Sequence, residues 1–218
     1  MAKGTLFGSV HSDTDLHLIQ QQLELGPAVP RINLVDVPGG NGSRDLTEAL
    51  GVGVTYKDRT IKWVYALRPD ADWSASFARV SAALNGRACD IVLDDDPDWY
   101  YSGRVTVSGH KTSGLLRQIS VTATCRPYKR LRDETVVSRD DIGTSYKGLV
   151  CDIGVMPLVP MIHTDQATTL KWGTTTVSVD AGDHVIPGFY MSGRQTIQAK
   201  LTAGAPGVVT VTWREGAL

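Results

Sequence analysis

The chain has 218 residues, 42% of them hydrophobic and 21% charged: enough apolar material for a sizeable core, too little charge for a disordered polyelectrolyte. Its 22 basic and 23 acidic side chains leave a formal net charge of −1, so no long-range field draws it to a phosphate backbone, and nucleic-acid recognition is excluded as its main role. Cys89, Cys125 and Cys151 are odd in number and form no C-x-x-C pair, which argues against a disulfide framework or a zinc site and for reduced, buried thiols in a protein made in a cytoplasm.

The N-terminus lacks a long apolar stretch of the secretory type, and no apolar run reaches the roughly 18–20 residues of a membrane helix. Asp15–Leu25 fits either a helix or an extended arm, broken by Pro27 and Pro30. Ile32–Val37 reads as a strand, and Pro38-Gly39-Gly40-Asn41-Gly42 after it is a strong turn signal. Ile61, Trp63, Tyr65 and Leu67 alternate with Lys62, Val64, Ala66 and Arg68, the period of a strand with one buried aromatic face. Trp73, Phe77, Val80 and Leu84 then recur at helical spacing. Asp72 or Asp70 can cap the start of that helix, and Gly86 can end it in a left-handed conformation. Flanked by strands, the helix must bury its stripe on a sheet.

Cys89–Leu93, Trp99–Ser108 and Arg117–Cys125 read as strands, with Asp94–Asp98 turning the chain around Pro97. The charged stretch 129–147 is the natural boundary between two parts. Beyond it, short strands are expected at Leu149–Ile153, Met161–Thr164, Leu170–Trp172, Thr175–Val179, His184–Ile186, Thr196–Leu201 and Val208–Trp213. The gaps between them are glycine-rich, the pattern of a small β-sandwich. The expected organisation is mainly β: an N-terminal domain over 1–130 with one helix at about 72–85, a linker over 131–147, and a C-terminal β domain over 148–218.

No catalytic, cofactor-binding or metal-ligating residue emerges. Asp94-Asp95-Asp96-Pro97-Asp98 offers carboxylates for a cation, but position six of an EF-hand register from Asp94 is Trp99 and position twelve is Val105, so a solvated hairpin turn is the better reading. Gly39-Gly40-Asn41-Gly42-Ser43 is followed by Arg44 and lacks the lysine of a phosphate loop. His11, His17, His110, His163 and His184 fall in no metal-ligand spacing, and no G-x-S-x-G elbow is present. Trp99-Tyr100-Tyr101 puts aromatics on both faces of one strand, which suits core packing plus a subunit contact.

An ordered set of segments resembles the siphophage distal tail protein family. The set is Ser12-Asp13, Pro30, Val37-Pro38-Gly39-Gly40-Asn41-Gly42, Asp45-Leu46-Thr47-Glu48, Tyr56–Ile61, Leu84-Asn85-Gly86-Arg87, Ile91–Arg104, Thr124–Lys129 and Trp213–Leu218. The resemblance implies an N-terminal β-sandwich carrying the helix, six copies of which form a ring. It also implies a C-terminal galectin-like β-sandwich outside that ring. The implied role is structural and non-enzymatic, at the distal end of the virion tail. The implied partners are other copies of the chain, the tail tube protein, the tail-associated hub or lysin protein, and receptor-binding proteins. No cofactor and no membrane anchor is implied. The hairpin Pro38–Ser43 and the residues around Trp99–Tyr101 are the expected ring contacts. The competing readings are a carbohydrate-binding or host-receptor recognition module, a cell-wall hydrolase, and a tail tube protein.

Overall fold

A computed structural model describes residues 3–49, 53–68, 71–113, 116–204 and 206–218. The chain divides into two units, Met1–Lys129 with Leu218, and Arg130–Ala217.

In the first unit, the alternation read over Ile61–Leu67 becomes strand β6 (Arg59–Leu67), whose inward residues Ile61, Trp63 and Tyr65 are fully buried. Around it stand β1 (Thr5–Phe7), β2 (Val10–His11), β3 (Leu18–Leu25), β7 (Ala88–Leu93), β8 (Asp96–Ser113) and β9 (Leu116–Cys125), in the antiparallel order β2-β1-β7-β8-β9-β6-β3. Within Asp15–Leu25, the residues Leu18–Leu25 form strand rather than helix, after a turn: Leu18 pairs with Leu67 and Leu25 with Ile61, with a bulge at Gln21. The sheet rolls over on itself. Phe7 and Trp63 lie on strands separated by β7, β8 and β9, yet their rings meet edge to face at 5.1 Å, and the Trp63 indole N–H donates to Thr5 Oγ1 at 3.0 Å.

Helix α1 (Trp73–Leu84) seats Ser76, Val80 and Leu84 in this core, while Trp73 and Phe77 pack at its margin with ring centroids 6.0 Å apart. Asp72 is the N-cap, its carboxylate accepting the backbone N–H of Ser74 and Ala75; Asp70 lies outside the described residues. Gly86 follows the C-cap at φ +77°, a conformation that Cβ-bearing residues avoid. The turn between β7 and β8 is tighter than expected: Leu93 pairs with Asp96, leaving Asp94 and Asp95 as its loop and Pro97 inside β8.

From the β3–β6 pair the chain runs out as an arm. The Gly26 N–H donates to Thr60 O, Lys57 to Val29 O and Arg31 to Thr55 O. The ribbon then ends in a separate two-stranded hairpin, β4 (Leu34–Asp36) and β5 (Ser43–Asp45).

The second unit starts at Arg130, within β10 (Lys129–Leu131). Its body is two four-stranded antiparallel sheets. One is β11 (Thr135–Ile142), β18 (Gly207–Trp213), β13 (Met161–Thr164) and β16 (Gly182–Val185). The other is β12 (Lys147–Asp152), β17 (Arg194–Leu201), β14 (Thr168–Trp172) and β15 (Thr175–Val179). A last short strand, β19 (Gly216–Ala217), pairs with β10. Both sheets send alternate residues inward, including Leu149, Cys151, Ile162, Leu170, Ile197, Val209 and Val211, so the unit is a β-sandwich. The segment 131–147, expected as a linker, carries all of β11 and the first residue of β12. Its charges conceal an alternation: Val137 packs on the core and Ile142 is fully buried, whereas Ser138 and Asp140 face out.

Candidate functional site

The acidic run at the β7–β8 turn is dispersed among separate partners. Asp94 accepts the Gly4 N–H at 2.8 Å and meets His11 Nε2 at 3.2 Å; Asp95 pairs with Lys3 at 3.0 Å, and Asp96 with Lys129 at 2.6 Å. These carboxylates fasten the turn to the N-terminal segment and to the end of the unit. His11 Nδ1 accepts the backbone N–H groups of Asp13 and Thr14, so in the neutral ring Nε2 carries the proton and donates to Asp94. Among the described residues no group of three His, Cys, Asp or Glu is arranged to hold a metal ion.

The other histidines are spread over the fold. His17 stands at φ +56° in the turn before β3. His163 Nδ1 lies 2.6 Å from Asp183, and His184 Nε2 lies 2.7 Å from the Asp180 carbonyl. The His110 side chain lies outside the described residues. A shallow groove of about 500 Å³ in the first unit is lined by Asp58, Cys89, Asp90, Ser102, Cys125 and Arg126. Its Ser102 hydroxyl donates to Asp90 at 2.6 Å, and no imidazole lines it to act as a base. Burial pushes the Cys125 thiol up to about 12, with the nearby Cys89 adding to the shift, and pushes the Cys151 thiol up to about 11. Cys89 is raised by burial as well, so these thiols are protonated and inert near neutrality.

The arrangement provides surfaces rather than reacting groups. At the arm tip Gly39 and Gly42 adopt φ of +80° and +77°, and Ser43 Oγ donates to Asp36 at 2.6 Å. The apolar residues lie along the arm behind that tip: Ile32 is 64% exposed and Leu34 57%, with Val29, Val35 and Val37 also exposed. A ribbon this thin has no interior, so its apolar side chains face water unless another surface covers them.

The aromatic run divides by strand periodicity. Tyr101 is buried, its ring 5.5 Å from the guanidinium of buried Arg59. Trp99 is half-buried under Lys129 Nζ at 4.7 Å, and Tyr100 on the opposite face is half-buried too.

In the second unit, the strand register builds a feature that no sequence stretch shows. Val136 pairs with Thr212, Thr212 with Met161, and Met161 with Val185, forming a row across β11-β18-β13-β16. Its apolar members Val136, Met161 and Val185 are all exposed. The next row on that face, Ser138–Thr210–His163–Asp183, satisfies itself by hydrogen bonds, and on the other side Arg214 pairs with Glu134 at 3.3 Å.

The sequence matches no protein-family model and no curated protein. Among solved structures it is similar to the Dit protein of SPP1, described as a paradigm of the hub adsorption apparatus in phages that infect Gram-positive bacteria. The TM-score is 0.70 at 13% identity, covering 100% of each chain. The likeness is one of fold, and it extends through both units.

Proposed function

We propose that this chain is a structural component of a phage tail tip. Copies of it close into a ring, six by the family resemblance, joining the tail tube to the tail-associated hub and to receptor-binding proteins. The carrying observation is the end-to-end fold likeness to a hub adsorption protein, over a chain whose acidic run Asp94–Asp96 is committed to separate structural contacts. The organisation proposed with it is a ring-forming domain over 1–130 and a galectin-like sandwich over 148–218.

The physics of the arm supports this reading. A cyclic assembly needs two different patches on each subunit, one fitting the other head to tail. The arm supplies an apolar patch that its own unit leaves uncovered. Near-neutral charge lets copies stack without strong mutual repulsion. The native mass of the purified chain by light scattering tests the proposal. A hexamer of 23.5-kDa chains, at about 141 kDa, is expected. A monomer both alone and with its hub and tube partners would refute it.

A further inference from the structure

The second unit's two sheets present outer faces of opposite chemistry. The face of β11-β18-β13-β16 carries the apolar row and ion pairs that neutralise one another. The face of β12-β17-β14-β15 carries Lys171, Lys200 and Arg194, with Asp152, the register partner of Arg194, as the one carboxylate among its described residues. Tyr146 directly precedes β12, whose Lys147 pairs with Ala199, so its ring stands beside Lys200 with that lysine's Nζ 4.7 Å from its centroid. Lys171 Nζ approaches the same ring at 6.0 Å. Among the described residues neither lysine has a carboxylate within ion-pair distance, whereas Arg139 and Lys147 both pair with Asp141.

The surroundings are hydroxyls and an amide. Lys200 pairs with Thr169, whose Oγ1 lies 3.2 Å from Ser178 Oγ; in the next row Gly148 pairs with Gln198, Gln198 with Lys171, and Lys171 with Thr176. Gly148 gives that row no side chain at its edge, and the Thr196 methyl fills the space over it. The two lysines are diagonal neighbours on adjacent strands, roughly 7–8 Å apart at the backbone, so one extended ligand can meet both.

From this we infer that the outer face of β12-β17-β14-β15 binds a phosphodiester-linked polyol or sugar polymer. Lys171 and Lys200 take its phosphates, and Gln198, Thr169 and Thr176 take its hydroxyls. A lysine ammonium is a compact charge suited to phosphate, and two of them without counter-ions favour an anion over a neutral glycan. Among the described residues Val150 and Tyr146 are the large apolar side chains exposed on this face, too little for the apolar centre of a protein interface. With a net charge of −1 over the chain, attraction comes from this local pair and not from the whole molecule. The inference does not depend on ring formation and applies equally to a single copy.

Calorimetric titration with poly(glycerol phosphate), in low and moderate salt, tests it. Native protein should bind. The Lys171→Gln/Lys200→Gln variant should bind at least about tenfold more weakly, and the slope of log affinity against log salt should flatten by about two, one for each lost phosphate contact. Each single variant should lose about threefold, so the test stands even if the double variant fails to fold. Lys62→Gln, on the first unit, should bind as the native chain does, and neutral dextran should not bind. The inference is overturned if the native chain ignores the phosphate polymer or if the lysine variants bind it unchanged. Polyglutamate binding as tightly as the phosphate polymer would also overturn it, assigning the face to acidic protein segments instead.

Discussion

Replacing Ile32 and Leu34 together by aspartate separates a role in assembly from a role in folding. Both side chains already lie mostly in water, 64% and 57% exposed, so in an isolated chain the double substitution should change stability by less than about 1 kcal/mol. If a neighbouring copy covers the arm, each residue loses about 100 Å² of apolar surface to that contact, worth roughly 2–3 kcal/mol. Two such residues give roughly 5 kcal/mol per interface, a factor of several thousand in its dissociation constant, before the cost of burying two carboxylates. Light scattering across a concentration series should therefore show native rings falling to monomers in the variant, with the two melting curves superimposed under conditions where both are monomeric. Rings that persist unchanged would refute the reasoning. So would a drop of many degrees in the monomer's melting temperature, because it would make these residues part of the fold.

Three further outcomes are expected. Gly103→Ala should lower stability by roughly 1–3 kcal/mol in urea unfolding, because an added Cβ would sit 2.5 Å from Cys125 Sγ and 2.6 Å from the Thr124 carbonyl in the middle of the sheet. Asp141 should titrate well below the ordinary carboxylate range, held there first by the Arg139 hydrogen bond and then by Lys147. Whatever stability it lends is present above the unfolded-state value near 3.8 and lost as pH falls through the lowered one, and Arg139→Gln should move its NMR titration midpoint back up. Cys125 and Cys151 should resist iodoacetamide at pH 8 and react only on unfolding. Because their folded values are raised, their contribution to stability holds below the ordinary thiol value of 9.0 and declines as pH rises above it.

How much could be read in advance depended on whether the signal was local. Strands such as Met161–Thr164 and Thr175–Val179 stand where their alternation puts them, and α1 with its Asp72 cap follows from spacing and one capping side chain. The strand β11 was hidden because Arg139, Asp140 and Asp141 crowd its end and its buried apolar residues are few, which reads as a linker. Asp15–Leu25 was ambiguous because the bulge at Gln21 interrupts its period of two. The surfaces were the least legible part. Apolar residues on the arm look like core residues until the ribbon is seen to have no interior. The Val136–Thr212–Met161–Val185 row and the Lys171–Lys200 pair exist only through register between strands far apart in the chain.

The most direct test of the tail-tip account is negative-stain imaging of the purified chain, alone and with its hub partner. The account predicts closed rings of uniform diameter with a central hole and sixfold averages. Open stacks of indefinite length would contradict it in favour of a tube protein, and isolated single-copy particles under both conditions would contradict a ring altogether.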